Sequence, residues 1–541
     1  MQCVEGSIVD VINKTIKKGC IYFDRKIIKI EYKNVESDLF IIPGFIDAHI
    51  HVESSMLVPS EFARLAVLHG TVATISDPHE IGNVLGVDGV KFMIENGKKT
   101  PFKFFFGAPS CVPATKFETA GAEINEKDID ELMSWKEIVY LAEMMNFPAV
   151  LKRETEVMNK IQSALKRGKK VDGHAPGLKG EDAKNYIDAG ISTDHECFTL
   201  EEALDKIKYG MKILIREGSA AKNFEALYPL IDLHPEMVMF CSDDKHPNDL
   251  VKNHINVLAK RAIQKGCNVM NVLQICSKNV VDHYQIPVGL LQIDDAADFC
   301  IVKDLNNFDV HSTFINGQCV SKNYETYIPS IQTATPNYFS CNLLQTEQLK
   351  IKAQQEFINV IEVEDGQLIT KKGIHKAHIQ NGFLESNTEN DLLKLVVINR
   401  YENQKPAFAF IKNVGLKKGA IASCVAHDSH NIIAVGCNDE DLKNAINLII
   451  NAKGGVSLAD KDKQLCVELP VGGIMSNKDA YLIADEYENI DIEAKNCGCT
   501  LNSPFMTLSF CALLVIPELK LSDKGLFDGN SFQFIDLQCE K

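Results

Sequence analysis

The sequence has no surplus of positive charge: 57 Lys and Arg stand against 73 Asp and Glu, a formal net charge of -16. Nucleic acids and anionic membrane surfaces are held by basic patches, so neither is expected as a partner. No apolar run is long enough to span a bilayer, which takes about 20 residues. The longest near the end, 505–516, is interrupted by Thr507 and Ser509 and stopped by Pro517. The first ten residues lack the basic stretch and apolar core of a secretory leader. The 17 cysteines form no CxxC pair, only Cys497-Gly498-Cys499. Scattered thiols, odd in number, fit a reducing cytoplasm better than a disulfide framework. Internal repeats and low-complexity segments are missing too. What remains is 541 residues, 45% hydrophobic and 24% charged, enough for about three domains or one large barrel with attachments.

Residues 1–42 carry short β-branched runs at 7–11, 21–24 and 27–31, broken by Lys, Gly and Asn. From Ile41 the texture changes. Apolar runs at 41–51, 71–78, 102–110, 138–147, 169–176, 191–196, 212–219 and 237–244 alternate with helix-like stretches. One helix is expected to start at Pro59-Ser60-Glu61-Phe62, with Pro in its first turn. Another is expected over 249–265, where Leu250, Val251, Ile255, Leu258, Ala259 and Ile263 share one face. Eight such repeats predict an α/β fold of the (β/α)8, TIM-barrel type. A doubly wound open sheet is the competitor. Nearly every run ends in titratable residues: His49 and His51, Asp77 and His79, Glu143, His174, His195, Glu217 and Asp243. A barrel gathers strand ends at one mouth, whereas an open sheet spreads them along a line. The barrel is therefore placed at 43–287. Strand texture returns at 296–302 and 313–318, so 1–42 and 288–335 are expected to form one small composite β domain. Residues 340–541 are expected to form a C-terminal α+β domain with turns at Gly454-Gly455 and Gly472-Gly473.

The chemistry starts at Pro43-Gly44-Phe45-Ile46-Asp47-Ala48-His49-Ile50-His51. Side chains on a strand repeat every two residues, so His49 and His51 share a face and can share a metal ion. Asp243 ends an apolar run, where an unpaired carboxylate is costly and a metal ligand is not. Asp244 is the neighbouring alternative, expected to alternate to the other side. His174 and His195 add two imidazoles at strand ends. Glu143, within the fourth run, is expected to bridge two metals; Lys152, just beyond it, is the rival bridge.

Together these residues resemble the adenine deaminase family. The match runs through 43–86, PGFIDAHIHVESSMLVPSEFARLAVLHGTVATISDPHEIGNVLG. Its first residues would indicate only the amidohydrolase superfamily, while Glu53-Ser54-Ser55-Met56 and Asp77-Pro78-His79-Glu80 narrow it. Further matches lie at 171–178, Arg216-Glu217-Gly218-Ser219, 241–247 and 420–431. The resemblance covers essentially the whole chain and implies two divalent ions, manganese or iron, on His49, His51, Glu143, His174, His195 and Asp243. It implies hydrolysis of adenine to hypoxanthine and ammonia. Asp243, Glu143 and His195 are then the catalytic residues, Asp243 carrying a proton from the attacking water to the amine. His79, Glu80, Glu118, Glu217, Ser219, His427 and Asp428 are placed with the substrate. Glu80, Glu118 and Glu217 are alternatives for the donor to the purine ring. His427-Asp428-Ser429-His430 either reaches the barrel mouth or forms a turn within the C-terminal domain. Adenine as partner and a homo-oligomer, a dimer, complete the expectation. Two rivals stand: a cyclic-amide hydrolase, which would use a lysine bridge, and a non-catalytic barrel scaffold, which should have lost ligands.

Overall fold

The computed structural model describes residues 1–219 and 221–541. The chain opens with strands β1 (Gln2–Asp10), β2 (Thr15–Phe23), β3 (Ile27–Tyr32) and β4 (Phe40–Pro43). Eight more follow, alternating with helices: β5 (Phe45–Ile50), β6 (Thr71–Ser76), β7 (Lys103–Ala108), β8 (Ile138–Met144), β9 (Lys170–Gly173), β10 (Thr193–Asp194), β11 (Lys212–Arg216) and β12 (Val238–Cys241). β5 to β9 pair in parallel in chain order, and so do β10 to β12. From β12 the chain returns to the start of the series. The Asp243 amide donates to the His49 carbonyl at 2.9 Å, and the His51 amide donates to the Asp243 carbonyl at 3.2 Å. β5 and β6 are buried along their whole length, as strands covered on both faces must be.

The seam between the two parallel sheets is tight. A Cβ on Gly173, the last residue of β9, would lie 2.5 Å from the Thr193 carbonyl oxygen of β10. At this corner the Thr193 hydroxyl oxygen accepts from the Gly173 amide at 3.4 Å, and the Tyr186 phenol oxygen accepts from the His174 amide at 3.1 Å.

After the parallel strands come β13 (Phe299–Val302), β14 (Val310–Ile315), β15 (Gln318–Lys322) and β16 (Glu325–Thr326). They join the first four in one sheet of order β16-β15-β14-β13-β4-β1-β2-β3, through β13 against β4. The single strand expected at 313–318 is instead a hairpin. Asn316 (φ 47) and Gly317 (φ 73) take the left-handed conformation that a two-residue turn demands. The helix expected over 249–265 is also divided, into Pro247–Leu250 and Ile255–Gln264. His254 interrupts it, its buried ring held between Thr71 Oγ1 and Asp47 Oδ2, each at 2.8 Å.

The C-terminal part centres on a mixed sheet of nine strands, eight of them from Phe357–Glu362 to Gln464–Glu468 and the ninth at Gln538–Cys539, with helices Asp439–Ala452 and Ala480–Asn496. It is fastened to the parallel-strand region at several points. The Ser476 amide donates to the Met56 carbonyl at 2.7 Å, the Ala480 amide donates to Glu61 at 2.9 Å, and Arg64 pairs with Asp479 at 2.7 Å. One apolar core runs through both parts, from Ile50 and Ile81 to Val425 and Phe505. No helix among the described residues is long and apolar enough to cross a membrane.

Candidate metal centre

The C-terminal ends of the parallel strands converge. β5 presents His49 and His51, β8 presents Glu143, and the turns after β9, β10 and β12 present His174, His195 and Asp243. All six are buried. Glu143 lies between two imidazole pairs. Its Oε1 is 3.2 Å from His51 Nε2 and 3.9 Å from His49 Nε2; its Oε2 is 2.7 Å from His174 Nδ1 and 3.3 Å from His195 Nε2. Asp243 Oδ1 stands 3.1 Å from His51 Nε2 and 3.5 Å from His49 Nε2.

This donor set fits divalent cations. Both ring nitrogens of His49 are buried without a hydrogen-bond partner. Such orphaned atoms are costly unless something else satisfies them. Ligand atoms of His49, His195 and Asp243 lie within 4.8 Å of one another, and so do those of Glu143, His174 and His195. Burial first, then the charge of His195, holds the His49 imidazole below its ordinary value, toward the neutral form a ligand needs, whereas the carboxylates around His51, His174 and His195 overcome burial and raise those three. Burial alone would raise Glu143 and Asp243. The imidazoles around Glu143, and Arg216, His49 and His51 around Asp243, outweigh it and hold both carboxyls well below the usual range. His51 Nδ1 faces the Asp77 carbonyl at 3.2 Å, the kind of outer contact that fixes a ligand's orientation.

Above this floor is a cavity. His79, Glu80, Arg216, Asp244, His427 and Asp428 line its polar side, and Leu368, Phe510, Leu513 and Ile516 its apolar side. The 427–430 cluster therefore reaches the mouth. His427 Nδ1 contacts Glu80, His430 contacts the other oxygen of Glu80, and Asp428 Oδ1 is 3.7 Å from His79 Nε2. The Phe510 ring stacks on His427 with centroids 4.6 Å apart.

Other expected residues lie elsewhere. Glu217 faces away from the cavity, paired with Arg261 at 2.6 Å. Its predecessor Arg216 takes the inward position and pairs with Asp243 and Glu196. Ser219 supports a turn, donating to Asp249 and accepting from the His246 amide at 3.0 Å. Glu118 is buried outside the cavity wall, accepting from Thr115 at 3.2 Å; burial, then the charge of Asp428, pushes it well up. Lys152, the rival bridge, is exposed at the end of helix Phe147–Leu151. Asp244 does not alternate away. β12 stops at Cys241 and Asp243 is left-handed (φ 56), so the two-residue period no longer applies and both carboxylates reach the cavity.

Residues 40–320 match the model of the amidohydrolase family, and residues 367–533 match that of the adenine deaminase C-terminal domain. The sequence is 50% identical over 535 residues to an adenine deaminase of Sulfurovum sp. (strain NBC37-1), covering 98% of this chain and 99% of that one. The chain belongs to the adenine deaminase family. An adenine deaminase of Methanosarcina mazei is 49% identical over 99% of both chains, and one of Borreliella burgdorferi is 51% identical over 98% of this chain and 99% of that one. In this member of the family, Arg216 and Glu196 join the site without having been singled out as site residues in the sequence, and Asp244, expected to alternate away, joins them. The signal for Arg216 was strand alternation at the end of β11, which sets it opposite to Glu217. The apolar wall had a signal too: the run at 505–516, too short for a bilayer, supplies three of its four residues.

Proposed function

We propose that the chain hydrolyses adenine to hypoxanthine and ammonia at this site. The supporting observation is one carboxylate, Glu143, set between two pairs of imidazoles beneath a cavity with an apolar wall. In this reading the two parallel sheets are halves of one closed (β/α)8 barrel spanning 43–287. Segments 1–42 and 288–335 form a composite β domain, and 340–541 a C-terminal domain that covers the barrel mouth. His49, His51, Glu143, His174, His195 and Asp243 hold two divalent cations, manganese or iron. Bound cations supply the Lewis acidity that lets a water ionise near neutral pH.

The protein's own groups do the rest. Leu368, Phe510, Leu513 and Ile516 offer a flat apolar surface to the purine and exclude bulk water. Asp243, ionised because Arg216 and two imidazoles hold it so, accepts the proton from the attacking water and returns it to the exocyclic nitrogen. The water oxygen bonds to C6, the C6–N bond breaks, and the nitrogen leaves as ammonia because an amide anion cannot. Negative charge gathering on the ring needs a donor. Glu80 is held well below the carboxylate range against its burial by His427, His430 and His79, so it is ionised and cannot donate. Its partner His427 can: burial opposes its charge, but Glu80 and Asp244 outweigh that and raise it to about 9. The 17 free thiols suit a cytoplasmic setting.

The test is to incubate metal-loaded protein with adenine, and separately with hydantoin and dihydroorotate. Release of ammonia matched to hypoxanthine, with no ring opening of the cyclic amides, is expected. Cyclic-amide hydrolysis without deamination would assign the site to the other chemistry.

A further inference from the structure

The apolar side of the cavity comes from two stretches far apart in sequence, Leu368 on one and Phe510, Leu513 and Ile516 on the other. With Met506 and Ala221 they form a small apolar cluster separate from the main core. Something must hold these two stretches at one height above the site. Strand Leu519–Ser522 lies behind them and carries Lys520, which is fully buried. Its Nζ donates to the Leu368 carbonyl at 2.7 Å and to the Phe510 carbonyl at 2.9 Å. Each backbone group belongs to a residue whose side chain faces the cavity.

Of the other buried lysines among the described residues, Lys160, Lys206 and Lys394 sit on carboxylates, while Lys245 donates to the Asn253 amide oxygen at 2.9 Å. Lys206 has Asp194 and Glu202, each at 2.8 Å, and Lys394 has Asp439. Among the described residues Lys520 has no carboxylate within 4.0 Å. A buried cation without a counter-charge is costly, so a merely structural filler here would be apolar. What an ammonium adds is donors that reach two carbonyls on separate segments at once. Thr370 makes the neighbouring link, its hydroxyl donating to the Leu519 carbonyl at 2.8 Å and its amide to the Pro517 carbonyl at 3.1 Å.

We propose that Lys520 is a positioning residue: by tying Leu368 to Phe510 through their carbonyls it sets the height of the apolar roof and hence how tightly a purine is held. The proposal rests on the purine reading of the cavity for its effect on binding, though not for the tie itself. Burial draws the Lys520 ammonium down to about 8, and the group facing it, the Cys511 thiol, is pushed by burial up to about 11. The tie is therefore charge-assisted below about pH 8 and weakens as the proton leaves, while Cys511 stays neutral to well above that pH. Charge-assisted hydrogen bonds are roughly twice as strong as neutral ones.

Two measurements test this on the metal-loaded full chain. In K520M, backbone amide exchange should speed up in 365–370 and 506–516 and stay unchanged in 45–50. With adenine, KM should rise about tenfold or more while kcat and metal content stay within about twofold. If K520M does not fold, the wild-type KM decides: it should climb as pH passes from 7 to 9 with kcat level. Where K520M folds, the ratio of its KM to that of wild type should shrink over the same range, which cancels any ionisation of adenine. Unchanged exchange in both segments, or a KM that ignores both the substitution and the pH, would overturn the proposal. Altered exchange in a wild-type protein that does not turn over adenine would leave the tie standing and sink the purine reading alone.

Discussion

At the scale of single residues, the site depends on which carboxylate does what. Glu143 reaches one imidazole pair with each oxygen. Glu143→Gln should therefore lower metal content from about two per chain to about one and cut turnover in step. Lys152→Ala, at an exposed position, should change neither. Elemental analysis of both variants decides, and metal loss in Lys152→Ala alone would reverse the assignment. Asp243→Asn keeps the shape and one ligand oxygen but cannot carry a proton. Losing general acid–base catalysis costs roughly 10²–10⁴-fold, so kcat should fall by that much with most of the metal retained. Its folded-state pKa is depressed, so the active ionised form persists down through the usual carboxylate range. The acid limb attributable to Asp243 should thus lie below about pH 4, where an ordinary aspartate titrates. Near-normal turnover in Asp243→Asn would move the shuttle to Asp244 or His195.

That His49, His51, Glu143, His174, His195 and Asp243 come together was legible at this scale, because each ends or interrupts an apolar run where a titratable side chain stands out. Arg216 was not, because an arginine beside a glutamate at a strand end gives no sign of which faces inward until the strand's register is known. His254 was hidden for another reason: it sits in a helical pattern, yet its ring is drawn inward to Asp47, which in turn accepts the Ser242 amide at 3.0 Å next to Asp243.

At the scale of elements, the eight apolar runs each contain one parallel strand, but the strands are shorter than the runs. β10 is only Thr193–Asp194, within a run spanning 191–196. Apolar periodicity marks what is buried and not where the ladder stops. The hairpin at Asn316-Gly317 was missed although Asn-Gly is a strong turn signal, because apolar residues on both sides joined it into one apparent strand. The seam between β9 and β10 gives a prediction. Gly173→Ala places a Cβ 2.5 Å from the Thr193 oxygen and 2.7 Å from Ile191. Overpacking of this kind costs about 1–3 kcal/mol. The denaturant midpoint should drop accordingly, and metal should bind more weakly, since His174 and His195 follow the two strands. A midpoint and metal affinity equal to wild type would show that the seam yields without cost.

At the scale of the whole molecule, the site is assembled from two parts. The parallel strands supply the clustered histidines and carboxylates, while His427, Asp428 and the wall from Leu368, Phe510, Leu513 and Ile516 come from beyond residue 340. Clamps such as Arg64–Asp479 keep the parts in register. The sequence carried the α/β class and the floor of clustered histidines and carboxylates, since both follow from local pattern. The run at 505–516 was visible too, but its place over the site was not, because that depends on contacts between residues more than 100 positions apart. The most direct test of the account follows from the floor. Strip the protein with a chelator and restore manganese or iron stepwise. Ammonia release from adenine should start near zero, rise with added metal and level off at about two ions per chain. Full turnover in the stripped protein, or none at any metal loading, would contradict it.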